Sequence, residues 1–202
     1  MTELTNAARS GDIKAIFQLL DRGADINQTD DIQVTALIYS VVFGKRDVTD
    51  LLLSRGADPN IQQRDGSFPL MLAAGRGDAD MVAKLLQHGA DVNNEDCLGN
   101  TALHTCAAWG LETTAQLIAH AGANINTQNN RGETPLMIAA GALSAEVVEL
   151  LLSLGASKYE RNHIGQTVIE VAQLAPKKSC ERTEELMGTI LKALSGRREG
   201  RQ

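Results

Sequence analysis

The sequence predicts an all-α solenoid, a stack of small helix pairs, and three observations carry that prediction. Five Gly-Ala pairs, Gly23-Ala24, Gly56-Ala57, Gly89-Ala90, Gly122-Ala123 and Gly155-Ala156, follow one another every 33 residues. A second series, Ala36-Leu37, Pro69-Leu70, Ala102-Leu103, Pro135-Leu136 and Val168-Ile169, keeps the same step. Between them, apolar residues recur at helical spacing, as in Met81, Val82, Leu85 and Leu86. Apolar residues make up 43% of the chain but aromatics only 3%, so the core must be built from Leu, Ala, Val and Ile. Such a stack offers an extended surface and no natural central pocket, which points to binding another macromolecule.

The first repeat, about residues 1–29, is truncated at its front, with helices predicted at 4–10 and 13–20. The second covers 30–62. The third, 63–95, shows the grammar most clearly. Asp65-Gly66 signals a turn, and Phe68-Pro69 opens a short helix of Leu70, Leu72, Ala73 and Ala74. Gly77 ends that helix, and Asp78 or Asp80 caps the next. Gly89 stops the second helix, and Asp91-Val92-Asn93 returns the chain. The fourth and fifth repeats span 96–128 and 129–161. In the sixth, 162–196, a helix at 167–175 is ended by Pro176. A longer one at 181–195 turns Leu186, Ile190, Leu191 and Leu194 inward and Glu181, Glu184, Glu185 and Lys192 to water. Residues 1–196 read as a single domain, and 197–202 as a disordered basic tail. Two departures stand out. The second repeat has Thr35-Ala36 and Tyr39-Ser40-Val41 in place of the usual opening and small-residue run. The fifth has Leu143 where its neighbours have Gly77 and Gly110, which predicts a slightly altered turn.

The formal charge of −6 argues against nucleic acid or an anionic membrane as partner. The basic clusters are Lys177-Lys178 and the tail Arg197-Arg198 with Arg201. Cys97, Cys106 and Cys180 follow no disulfide framework and suit a reducing, cytoplasmic setting. No secretory signal or membrane-length apolar run is visible, although secretion without a cleavable signal leaves no such mark.

The pattern resembles the ankyrin repeat. The residues that carry the resemblance are Thr101-Ala102-Leu103-His104, Thr134-Pro135-Leu136-Met137 and the two endings at 52–60 and 85–93, Leu-Leu-Ser-Arg-Gly-Ala-Asp-Pro-Asn and Leu-Leu-Gln-His-Gly-Ala-Asp-Val-Asn. The resemblance implies paired antiparallel helices with short β-hairpin-like fingers, and partners held by the fingertips and the concave ends of the first helices. Carried onto this chain, it places Ser10, Phe43, Arg76, Trp109 and Ala142 in one row. An exposed Phe and Trp with an Arg between them is the residue mix of interface hot spots. Trp109, the only tryptophan, would otherwise cap local core under the fingers. Apolar tip residues Ile32, Leu98 and Ile164 serve either a partner or finger-to-finger packing. The candidate partner-binding residues are Ile32, Val34, Val42, Phe43, Arg64, Arg76, Leu98, Asn100, Trp109 and Arg131.

Catalytic and metal signatures are not found. His88, His104, His120 and His163 are scattered, and His104 and Cys106, two apart on a helix, point away from each other. The resemblance makes His104 a structural tie between helix and finger. Cys106 stands where Ala73 and Ala139 stand, a small buried filler, and fingertip Cys97 is the more accessible thiol. No phosphate loop or hydrolase motif is present. The expectation is a monomeric, non-enzymatic adaptor without cofactor that holds a protein segment, in a regulatory setting or as a bacterial effector acting on a host protein. Two other readings stand beside it: a structural homo-oligomer, and a substrate of an asparagine hydroxylase at Asn27, Asn60, Asn93 or Asn126.

Overall fold

The computed structural model of the chain describes residues 1–175 and 181–196. The expectations placed on Pro176, Lys177, Lys178, Cys180, the Glu181 side chain and the tail from Arg197 lie outside what is described. Twelve helices form among the described residues: α1 (Glu3–Ser10), α2 (Ile13–Asp21), α3 (Ala36–Val42), α4 (Arg46–Ser54), α5 (Pro69–Gly75), α6 (Ala79–Gln87), α7 (Ala102–Trp109), α8 (Glu112–His120), α9 (Pro135–Gly141), α10 (Ala145–Ser153), α11 (Val168–Leu174) and α12 (Glu181–Ser195). They gather into two compact halves, Met1–Ala102 and Leu103–Gln202.

The Gly-Ala pairs end the second helices for a definite reason. After α6, Gly89 takes a left-handed φ of 85° that a side chain disfavours. That conformation lets the Gly89 N–H reach Leu86 O at 3.1 Å and the Ala90 N–H reach Leu85 O at 3.0 Å. Two otherwise orphaned carbonyls are thereby satisfied. The same pair of bonds closes α2, α4, α8 and α10 at the other Gly-Ala pairs. The helices also start as their sequences dictate. Asp12 and Asp78 cap α2 and α6, Thr35 and Thr134 cap α3 and α9, and Thr167 with Glu170 forms a reciprocal capping box on α11.

In the N-terminal half α1, α3 and α5 pack side by side as one layer, and α2, α4 and α6 as the other. Ile16, Leu37, Leu52, Phe68, Leu70 and Leu85 are sealed between them. Successive second helices are also linked at the surface. Arg46 bridges to Asp78 and Asp80, Lys84 to Asp50, and Arg55 to Asp21. These pairs stand in water and are screened by it, so each adds little to stability. In the C-terminal half α9 packs on α11, and α8, α10 and α12 follow one another. Leu103, Ile118, Leu136, Leu151, Ile190 and Leu194 fill that core, the last two on the predicted inner side of α12.

The expected hairpin-like fingers are tight hydrogen-bonded turns, and no strand is present among the described residues. In each, the first residue's N–H donates to the carbonyl four residues on, as Asp30 to Val34 O at 3.0 Å and Asn162 to Gln166 O at 3.0 Å. Asp30, Asp96, Asn129 and Asn162 then turn a side-chain oxygen back onto two N–H groups of their own finger. Neighbouring fingers touch through Cys97 N–H to Asp65 O, 3.4 Å, and His163 N–H to Arg131 O, 2.9 Å.

Among the described residues, two that are not glycine occupy left-handed positions reserved elsewhere for glycine. Leu143 adopts φ 58° where Gly77 has 67°. The altered turn expected at Leu143 does not occur. Ser144 N–H still bonds Ala139 O at 2.9 Å, as Asp78 N–H bonds Ala73 O at 3.2 Å. The flanking helices fix the turn, so the residue absorbs strain of about 1 kcal/mol instead of reshaping it. Gln33, φ 63°, stands in the column of Gly66, Gly99, Gly132 and Gly165. Gln33→Gly is expected to stabilise the chain by about 0.5–1 kcal/mol, relief of strain outweighing added chain entropy. Urea unfolding followed by circular dichroism checks this, and a lower midpoint would refute it.

Candidate partner-binding site

In the N-terminal half the site is built around Phe43. It follows the last residue of α3, where a short helix ends at the surface, and it is 48% exposed. Its ring stacks on Tyr39, centroids 6.2 Å apart, and the Arg9 guanidinium sits 5.7 Å from its centre. Tyr39 is itself anchored, its hydroxyl donating to buried Asp30 at 2.9 Å. Burial pushes the Asp30 carboxyl upward, but bonds from the Val34 N–H, the Tyr39 hydroxyl and the Ile32 N–H outweigh this and hold it below the ordinary carboxylate range. Burial and the bond to Asp30 push the Tyr39 phenol up. The aromatic pair is thus held in place by its own finger.

Val42 lies beside Phe43 at the surface, and its carbonyl accepts from Arg76 Nη1 at 3.0 Å, tying the end of α5 to the end of α3. Two shallow recesses flank the Gly44 turn. One, of about 300 Å³, lies between Gly11, Ile13, Gly44, Lys45 and Arg46. The other, of about 420 Å³, lies between Arg46, Arg76 and Asp78. At the fingertips Ile32 is exposed, Leu98 is 60% exposed, and Arg64 donates to Asp31 O at 3.3 Å. Asn100 is half-buried and bonds Asp96 Oδ2 at 3.3 Å, so its amide serves its own finger.

One predicted contact fails. Val34 is 6% exposed and belongs to the core. Its N–H and carbonyl close the finger on Asp30, which turns the side chain inward under α3. Tyr39 joins the site although the sequence reading did not place it there, and Arg9, expected beside Ser10 on the concave face, contacts Phe43 directly. Tyr39 was legible from its place one helical turn before Phe43. The contact of Arg9 with the Phe43 ring, across two repeats, was not.

In the C-terminal half Trp109 ends α7 and is 72% exposed, so it does not cap core. Arg131 projects from an exposed fingertip, with its N–H on Asn129 Oδ1 at 2.9 Å. His104 is buried, and its Nε2 meets Glu133 O at 3.1 Å, the helix-to-finger tie that was expected. Cys106 is buried beside Thr114 Oγ1 at 3.3 Å, and burial pushes its thiol up to about 11, which removes it as a nucleophile near neutral pH.

The family model for ankyrin repeats (3 copies) matches residues 1–63, 37–129, 70–163 and 110–180. The chain is an ankyrin-repeat protein. Comparison with curated proteins gives no match. Ankyrin repeats are generally protein–protein interaction modules and generally non-catalytic. No helix among the described residues is long and apolar enough to cross a membrane. Among the same residues no cluster of His, Cys, Asp and Glu is arranged to hold a metal ion.

The ankyrin loops carry a further regularity. Asn27 Oδ1 accepts from Asp58 N–H at 2.9 Å, Asn60 Oδ1 from Asp91 N–H at 2.8 Å, and Asn126 Oδ1 from Ser157 N–H at 2.8 Å. Asn60 Nδ2 also donates to Gly89 O at 3.0 Å. These amides stitch one repeat to the next, so an enzyme modifying them would first have to open the loops.

Proposed function

We propose that this ankyrin-repeat protein is a non-catalytic adaptor that docks a protein segment on the ends of its first helices. The observation that carries the proposal is the pre-positioned, exposed Phe43, stacked on Tyr39 and covered on one side by Arg9. A rigid aromatic anchor binds at low entropic cost, because its geometry is fixed before the partner arrives. Exposed Trp109, on the C-terminal half, offers a second aromatic contact surface. Neither ring is needed to close the core, so each can be removed without unfolding the chain.

Phe43→Ala and Trp109→Ala are each expected to weaken binding of a co-purified partner by about 1–4 kcal/mol. Isothermal titration calorimetry gives the affinity, and circular dichroism checks that the fold is intact. Native affinity in both variants would remove the docking assignment. Sedimentation equilibrium should show one species near the 21.6 kDa chain mass, and a concentration-dependent dimer would assign the face to a second copy instead.

A further inference from the structure

The cations of the N-terminal half are not treated alike. Arg46, Arg55 and Lys84 each reach a carboxylate on a neighbouring repeat. Arg9, Lys45 and Arg76 form no such pair among the described residues. Arg9 lies over the Phe43 ring at 5.7 Å, and Lys45 and Arg76 stand at the turn that follows Phe43. Lys45, two residues on, lays its stem against Gly11, its Cδ 3.3 Å from where a β-carbon there would stand. Arg76 spends one N–H on Val42 O and keeps the rest of its guanidinium donors. Of the nearby acids, Asp78 and Asp80 are paired with Arg46, and Asp30 is buried and held by the Tyr39 hydroxyl and two N–H groups of its finger. Asp47, in the first turn of α4, is the remaining exposed carboxylate on the recess.

We infer that the Phe43 face takes an acidic polypeptide segment, with an apolar side chain seated on Phe43 and flanking carboxylates on Arg9 and Arg76. The inference rests on the docking reading above and adds the chemistry of the partner. Three cations without a carboxylate partner, Arg9 at the ring and Lys45 and Arg76 at the turn beyond it, against one unpaired acid, Asp47, run counter to the chain's net charge of −6. Arg9 is already held over the ring, so pairing it with a carboxylate costs little further side-chain entropy. A long polyanion such as nucleic acid would meet three cations here and repulsion elsewhere. A short acidic segment can span Arg9 and Arg76 while Asp47 is the one unpaired carboxylate it must avoid on the recess. The apolar seat on Phe43 gives it an anchor that charge alone does not supply.

The test is selection of random 12-residue peptides displayed on phage against the full chain, followed by fluorescence anisotropy of the enriched peptides. Asp and Glu should be enriched on either side of a Leu, Ile, Phe or Trp. Phe43→Ala should weaken binding about fivefold or more. Arg9→Gln and Arg76→Gln, both at exposed positions, should keep the circular dichroism spectrum and each weaken binding about fivefold to tenfold, with Kd rising as salt is added. Peptides that need Phe43 but are neutral or basic, and bind Arg9→Gln and Arg76→Gln unchanged, overturn the acidic preference and leave the docking face standing. Peptides indifferent to Phe43→Ala, or no enrichment at all, overturn both. Binding of oligo-dT as tight as that of the best peptide at the same salt overturns the inference in favour of a general anion surface.

Discussion

Phe68→Ala is expected to destabilise the protein by about 3–5 kcal/mol, the range for emptying a fully buried aromatic site. Phe68 is 1% exposed and holds the N-cap position of α5. The same column holds Thr35, Thr101, Thr134 and Thr167 in the other repeats. The Thr35 and Thr134 hydroxyls accept an N–H from their own helix, a cap worth about 1 kcal/mol. The third repeat gives up that cap, since Phe68 makes no side-chain capping bond, and gains the burial of a ring. Pro69 at the first helical position softens the loss by removing one N–H that would need a partner. Phe68→Thr should therefore recover about 1 kcal/mol relative to Phe68→Ala while still leaving a cavity. Urea unfolding of the three proteins measures both differences. A loss below about 1 kcal/mol in Phe68→Ala would mean that the neighbours collapse into the space.

Gly66→Ala is expected to cost about 3 kcal/mol, whereas Gly89→Ala should cost only about 1. Both glycines are left-handed, φ 81° and 85°, so the backbone penalty is shared. Their surroundings differ. A β-carbon on Gly66 would stand 2.4 Å from Cys97 N and 2.9 Å from Asp96 C, main-chain atoms of the next finger that cannot swing aside. A β-carbon on Gly89 meets nothing within 4 Å. The extra loss therefore reports the contact between fingers, including the Cys97 N–H to Asp65 O bond. Equal losses in the two variants would show that the fingers part without cost. Gln33 illustrates the same point from the other side. It puts a β-carbon where the other repeats have none, and at that junction the Arg64 side chain, donating to Asp31 O, links the two fingers.

The fold was legible because its signals are local and repeated. A left-handed C′ residue is required wherever a helix ends in paired 6→1 and 5→2 bonds, and Gly satisfies it most cheaply. Five such endings at one step therefore fix the repeat length and the helix count. Caps such as Asp78 and stripes such as Met81, Val82 and Leu85 act within one helix, and all were found where the spacing put them. Exposure of Phe43, Trp109 and Leu98 followed from the same register. The site was less legible. Val34 reads as a fingertip residue, but its side-chain direction depends on how Asp30 folds the finger back, a bond between residues four apart in a loop with no periodicity.

The sequence by itself determined the helix pairs, their endings and the small-residue core, because each depends on residues within one turn of chain. Only the tertiary structure decided that Leu143 keeps its turn under strain, since the packed helices on either side are what hold it there. Packing also decided that Phe68 is core, because the space it fills is made by neighbouring helices. The environment of Phe43 belongs to the same class: Arg9 reaches it from another repeat, and the charge around an exposed ring is set by which cations the fold leaves unpaired.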